Sequence, residues 1–278
     1  MENYSVLMSV YHRENPEHFA TAIESILHQT VVTDDFVIVC DGPLTEELDG
    51  VIARYVQAYP DVFNIVRLPE NVGIGLAASA GLQRCKNALI AKMDADDIAV
   101  PQRCEKQLKL FADNPALAVA GGYIEEFDED PDVPFAVREV PLTNGQIRKF
   151  ARRRQPFNNV SVMYRKAAVL AVGGYRNLRR AEDYDLYVRL LKAGCEAANL
   201  GEVLVKARVD RGAYARRASW STLCSCASSR WNAFRIGYSS IIDVLVCVVG
   251  EFVILISPPK LQHFLYSCFL RKKCDKNE

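Results

Sequence analysis

The chain has 278 residues, half of them hydrophobic, enough for one large α/β domain with an appendage. Lys plus Arg and Asp plus Glu number 34 each, so net charge points to no nucleic-acid partner. Nine cysteines with no CxxC pair suggest neither a zinc site nor a disulfide framework, and read as isolated thiols in a reducing compartment. The opening Met1-Glu2-Asn3-Tyr4-Ser5 has no basic or long apolar run, so no signal peptide is expected and a cytosolic location is.

Residues 4–10 (YSVLMSV) form the first expected strand. Asn15-Pro16 supplies a helix cap and a first-turn proline. Phe19, Ala22, Ile23, Ile26 and Leu27 then repeat at helical spacing. A short apolar strand, 36–39, ends in Cys40-Asp41-Gly42-Pro43, and Leu48, Val51, Ile52, Tyr55, Val56 and Tyr59 mark the next helix. A strand over 63–68 leads to Asn71-Val72-Gly73-Ile74-Gly75 and an Ala-rich helix to Lys86. The apolar run 88–91 reads as a buried strand ending in Lys92-Met93-Asp94-Ala95-Asp96-Asp97. This alternation of strand and helix predicts a parallel sheet covered on both faces.

Pro101 opens a further helix with Leu108 and Phe111 inward, and 117–121 is the next strand. Residues 125–134, acidic and Pro-containing, read as a surface loop. Thr143 and Gln146 fit a capping box for a helix ending near Arg152. A strand over 160–164 and a short helix over 165–172, stopped by Gly173-Gly174, come next. A helix over 182–192 and a strand over 202–207 complete this part. Beyond about Arg211 the pattern turns helical. The expected division is therefore 1–210, with halves 1–100 and 101–210, then a helical region 211–278.

Carboxylates crowded at a strand's end are costly to hold unless something cationic neutralises them. That end is also where open α/β sheets bind ligands. Asp94-Ala95-Asp96 offers oxygens to a hard divalent ion whose other positions phosphate and water can fill; a solvated acidic turn capping the next helix is the plainer alternative. The loops at Ser9-Val10-Tyr11 and Asp41-Gly42 would converge on the same edge. Tyr11 offers a stacking face, Asp41 can accept from a base N–H, and Asn71-Val72-Gly73 is a close-approach loop. Gly73-x-Gly75 lacks the third glycine of a dinucleotide fingerprint. A second acidic site, Glu182-Asp183-Tyr184-Asp185, suits a helix N-terminus electrostatically. It also suits a general base, acting apart from a metal-bound leaving group.

Taken together, these residues make the chain resemble a family 2 glycosyltransferase of the GT-A fold, over about Tyr4 to Arg208 and more loosely to Arg271. The resemblance rests on 5–11, Cys40 to Pro43, Asn71 to Gly73, Ile90 to Ile98, Pro101 to Arg103, Gly173 to Tyr175 and Glu182 to Leu186. It is strongest to the subgroup that builds bacterial O-antigen, capsule and exopolysaccharide repeat units. The resemblance implies that Ser9, Val10, Tyr11 and Asp41 hold the uracil and ribose of a UDP-sugar, with Asn71 and Gly73 near the nucleotide. It places Asp94 against ribose or donor sugar, with Ala95 in the same set. Asp96 would coordinate manganese or magnesium, Asp97 would support its loop, Asp183 would be the base of an inverting displacement, and Glu182 would contact the acceptor.

Two positions depart from the family pattern: Asn159 stands where His is expected, and Tyr187 where Trp is usual. The Gln-x-x-Arg-Trp signature of processive synthases is absent, and Arg216 to Trp220 only echoes it. The reading is thus a non-processive, metal-dependent transferase of one hexose, Gal or Glc, from a UDP-sugar to an undecaprenyl-diphosphate-linked sugar such as GlcNAc. A non-catalytic sugar-nucleotide-binding relative and a nucleotidyltransferase are the alternatives.

Residues 241–256 are strongly apolar but hold Asp243 and Glu251, which are costly in a membrane span. An in-plane or domain-packing helix is expected instead. A second apolar stripe, Leu261, Phe264, Leu265, Cys268 and Phe269, closed by Arg271-Lys272-Lys273, would suit an interfacial helix on anionic lipid. The expected place is the inner face of the cytoplasmic membrane. The basic 208–217 segment would meet an acceptor's diphosphate or lie solvated.

Overall fold

The structure, a computed structural model, describes residues 2–178, 181–209, 219–257 and 272–273. The basic stretch 210–218, the stripe 258–271 and the end of the 176–180 basic run fall outside the described residues.

Strands β1 (Tyr4–Val10), β2 (Asp35–Cys40), β3 (Phe63–Arg67) and β4 (Leu89–Asp94) lie parallel in the order β3-β2-β1-β4. The three inner ones are buried almost throughout, which explains their unbroken apolar runs. Helices α1 (Pro16–Leu27) and α2 (Glu46–Ala58) cover one face, against Val6, Met8, Phe36 and Ile38. α3 (Ile74–Arg84) covers the other, against Leu7, Val37 and Val39. The caps are those the sequence names: Asn15 accepts from Glu17 N and His18 N at the start of α1.

The second half is mixed. β8 (Met163–Arg165) lies antiparallel between β4 and β6 (Leu117–Phe127). β6 pairs antiparallel with β7 (Ala136–Arg138) and parallel with β9 (Glu196–Arg208), which also holds the two-residue β5 (Ile98–Ala99). The parallel sheet expected therefore describes the first half of an α/β sheet. α4 (Arg103–Asp113), α5 (Asn144–Ala151), α6 (Lys166–Ala171) and α7 (Glu182–Lys192) complete this part. The Thr143–Gln146 capping box is present.

Arg103, fully buried, fastens the halves together. Its Nη2 donates to Lys92 O at 2.5 Å, and its Nε to Gln107 Oε1 at 3.3 Å. Gln107 Nε2 in turn donates to Ala120 O and Ser161 O. A buried guanidinium needs such partners.

Several boundaries differ from expectation. Residues 125–127 are strand rather than loop: Glu125 and Glu126 pair with Val137 and Ala136, and Glu126 is buried. The last strand begins at Glu196, six residues before the expected 202, because β9 is bent by register shifts that break its alternation. Residues 159–161 form a 3-10 turn, leaving β8 only three residues. Lys272–Lys273, expected to close a helical stripe, forms strand β10 against β7.

Of the helical region, α8 (Trp220–Arg235) and α9 (Ile241–Ile256) are described. Ala233 packs on Tyr184 and Val188 of α7, and Tyr238 Oη donates to Arg148 O at 2.9 Å. Among the described residues no helix is long and apolar enough to cross a membrane.

Gly81 sets the depth at which α3 packs. A Cβ there would lie 2.3 Å from Leu7 Cδ1 and 2.5 Å from Val39 Cγ2. Overpacking of that kind costs about 1–3 kcal/mol, against about 1 kcal/mol gained in helix propensity. Gly81→Ala is expected to lower stability by up to about 2 kcal/mol in urea unfolding, although Ala is the better helix former.

A candidate active site at the carboxyl ends of the parallel strands

The strand register brings the first three candidate loops together. Ser9 pairs with Asp94 on β4 and with Val39 on β2, and Val10 pairs with Cys40. Asp41 N donates to Val10 O at 2.8 Å. The Asp41 carboxylate then closes the β3–α3 loop, accepting from Val72 N at 2.7 Å and from Gly73 N at 3.1 Å. Asn71 Nδ2 returns a bond to Asp41 O at 3.2 Å. Gly73, at φ 88°, has the left-handed backbone that lets its N–H turn to this carboxylate. Asp41, Asn71 and Gly73 are thus one interlocked unit. Of the remaining set, the Val10 and Ala95 side chains are buried in the core, Ser9 Oγ is buried with no partner among the described residues, and Tyr11 is exposed.

The acidic loop after β4 is crowded. Burial, then the charge of Asp94, pushes Asp96 up to about 6. Burial, then Asp96 and Asp94, pushes Asp97 well above the usual carboxylate range. Asp97 Oδ1 accepts from Arg208 N at 2.7 Å, tying the loop to the end of β9. Glu14 faces the same loop and is pushed to about 7 by burial, then by Asp96 and Asp94. Such a site suits a hard dication, which would relieve this repulsion. Among the described residues no three His, Cys, Asp or Glu side chains form a metal cage. Asp94 and Asp96 would therefore hold an ion only as part of a set completed by ligand oxygens and water.

The second acidic site also feels the charge of Asp94. Glu182 is pushed to about 7, by burial first and then by Asp183, with Lys92 opposing and Asp94 adding to the rise. Asp183 is raised by burial; hydrogen bonds from Tyr184 N and Gln155 oppose that rise, and Asp94 adds to it. Asp94 is therefore within electrostatic reach of both groups, and the separated acids share one region. A Cβ on Gly75, at the start of α3, would meet Glu182 Cβ and Cγ at 3.2 Å. The Gly73 loop and α7 thus close on each other. Ala181, just before Glu182, has φ 60°, the left-handed region that a residue with a Cβ adopts at a cost of about 1–3 kcal/mol.

Three groups here escape sequence reasoning. Lys92 is buried, its Nζ lies 4.0 Å from Asp94 Oδ1, and it has no hydrogen-bond partner among the described residues. Its place two residues from Asp94, on one strand face, was a readable signal. Gln155 Nε2 donates to Asp183 Oδ2 at 2.5 Å while its buried Oε1 has no partner among the described residues. Glu14 reaches the acidic loop from the turn before α1, which no local pattern announces. The two departures from the family pattern prove to be partners: Tyr187 Oη donates to Asn159 Oδ1 at 2.6 Å, beside Phe157.

Gln155→Leu removes a bond that favours ionised Asp183. The Asp183 carboxyl should then titrate at higher pH than in the parent, measured by carbon NMR of the carboxyl resonance.

The family model described as Glycosyl transferase family 2 matches residues 5–178. The amylovoran biosynthesis glycosyltransferase AmsE of Erwinia amylovora is 38% identical over 80% of this chain and 82% of its own. An Escherichia coli protein named UDP-Gal:alpha-D-GlcNAc-diphosphoundecaprenol beta-1,3-galactosyltransferase is 30% identical over 97% of both chains. S. aureus TarS 1–349, solved in complex with UDP-GlcNAc, superposes with a TM-score of 0.67 at 15% identity, over 94% of this chain and 77% of that one. This last likeness is one of fold.

Proposed function

Because the chain belongs to glycosyl transferase family 2, we propose that it moves one hexose, Gal or Glc, from a UDP-sugar to an undecaprenyl-diphosphate-linked sugar, GlcNAc foremost. The donor and acceptor classes are those in the name of the E. coli relative that matches nearly the whole chain. The observation that supports the reading is that the charge of Asp94 acts both on Asp96 and Asp97 and on Glu182 and Asp183. In the proposed scheme one region serves both the leaving group and the base.

Ser9, Tyr11, Asp41, Asn71 and Gly73 form the floor for the nucleotide, with Val10 and Ala95 contributing backbone. Asp41 holds the 71–73 loop in shape through its two backbone bonds. Asp94 stands at the donor sugar. Asp96 would hold the manganese or magnesium ion, whose positive charge would stabilise the diphosphate as it leaves. Asp183 takes the proton of the acceptor hydroxyl as its oxygen attacks the anomeric carbon. The carbon–oxygen bond to the diphosphate breaks with its electron pair on UDP, and the configuration inverts. Glu182 contacts the acceptor. Burial raises Asp183, which makes it a stronger base than a solvated aspartate.

The cytoplasmic membrane face is the place where such an acceptor is met. The support is the outward apolar side of α9, with Ile242, Leu245, Val249 and Ile256 exposed.

Asp183→Asn should lower transfer by about 10²–10⁴-fold, the range for losing a general base, while UDP binding by calorimetry stays near the parent value. EDTA should stop UDP release and added manganese restore it; turnover that ignores EDTA would remove the metal from the scheme. The acid limb of kcat/KM should lie above the usual aspartate range, because a raised Asp183 is protonated, and inactive, at a pH where a solvated aspartate is still ionised.

A further inference from the structure

The link between α5 and β8 carries Gln155, and both of its flanks are held by α7. On one side, Tyr184 Oη donates to Ala151 O at 2.8 Å. On the other, Phe157 packs edge-on against Tyr187 with ring centroids 4.9 Å apart, and Asn199 Nδ2 donates to Pro156 O at 3.1 Å. Between these ties Gln155 Nε2 meets Asp183 Oδ2 at 2.5 Å. One helix thus supplies Asp183 and two of the contacts that bring the amide to it.

The orientation of that amide follows from its chemistry. An ionised carboxylate only accepts, so the NH2 end faces Asp183 and the carbonyl end points elsewhere. The carbonyl oxygen, Oε1, is buried and has no partner among the described residues. Leaving such an acceptor unpaired is unfavourable, and the tied flanks restrain the backbone from carrying it to another donor. Gln155 as a whole is only half-buried, so its amide stands beside Asp183 near the surface rather than deep in the core.

The base has its own two oxygens already engaged, Oδ1 by Tyr184 N at 2.7 Å and Oδ2 by Gln155. A hydroxyl that gives its proton to Asp183 therefore comes in alongside the Gln155 amide. In a sugar, a carbon next to the attacked one carries a second hydroxyl, or an amide N–H in a 2-acetamido sugar. Either is a donor, and it falls beside an acceptor that belongs to the same amide as the group bonded to the base.

We propose that Gln155 Oε1 accepts a hydrogen bond from the hydroxyl or amide N–H on the acceptor-sugar carbon adjoining the attacked one. Gln155 then selects an acceptor with two neighbouring donors, one to be deprotonated and one to be recognised. The proposal rests on the reading of Asp183 as the base argued above.

The test uses the full chain, a UDP-hexose and GlcNAc joined through a diphosphate to an alkyl chain. NMR of the product fixes the attacked carbon. Analogues are then made in which the donor on each adjoining carbon is replaced by hydrogen. In the parent, one analogue should lose about tenfold or more in kcat/KM, as a site built to pair with a substrate donor rejects the compound lacking it. In Gln155→Leu the ratio of the two acceptors should fall to near one. The ratio is taken within each variant, so a general loss from a weakened base cancels, and UDP binding by calorimetry reports that the variant is folded. Gln155→Asn, which withdraws the amide by one methylene, should flatten the ratio in the same way and serves if the Leu variant is too slow to measure. A parent that treats all the acceptors alike, or a discrimination that survives in the folded variants, overturns the contact. Asp183→Asn separates the two readings. If it transfers as fast as the parent, the base reading fails and the contact falls with it. If it is inactive while Gln155→Leu still discriminates, the contact alone fails. A parent that glycosylates none of the compounds with any UDP-hexose removes the acceptor reading and the contact together.

Discussion

Like charge held out of water is the constraint on which this molecule's chemistry depends. Glu14, Asp96, Asp97, Glu182 and Asp183 are all raised by burial, and Asp94 adds to the rise of each. A solvated surface would have let these groups ionise independently. Here the chain keeps them close, with buried Lys92 as the cation beside Asp94. Such crowding is unfavourable by itself and is relieved when a cation binds or when one of the carboxyls takes up a proton.

The scaffold that enforces the crowding is rigid and local. β4 is paired with β1 along its length to Asp94 and with β8 over Leu89 to Ala91, and Lys92 N donates to Val162 O. Arg103 and Gln107 tie β4 to β6 and to the turn before β8. Asp97 bonds the backbone at the end of β9. At the start of α3, a Cβ on Gly75 would lie 2.9 Å from Arg176 O and 3.2 Å from Glu182 Cβ, so glycine permits the close approach there. These ties are hydrogen bonds and close contacts between elements far apart in sequence, and together they position carboxylates that repel one another.

The α9 helix inverts the usual arrangement of an amphipathic helix. Asp243 is buried on the protein through Arg152 and Arg153, whereas most of the large apolar side chains point outward. An ion pair so anchored orients the helix more than it stabilises it. The outcome is a row of exposed apolar side chains along α9 that begins beside Arg152 and Arg153.

The sequence by itself determined the parallel half of the sheet and the helices that cover it. Buried parallel strands need unbroken apolar runs, and helices α1 and α5 carry their caps in the chain. It also singled out both acidic stretches, because carboxylates at a strand end or helix start are local patterns. The antiparallel half was harder to read. β5, β7 and β10 have two or three residues each, and β9 is bent by register shifts, so alternation has no length over which to repeat. Only the tertiary structure decided that Glu14 faces the acidic loop, that Gln155 holds Asp183, and that Asn159 and Tyr187 are one bonded pair. Those relations join residues separated by tens of positions, and no periodicity of a single element encodes them.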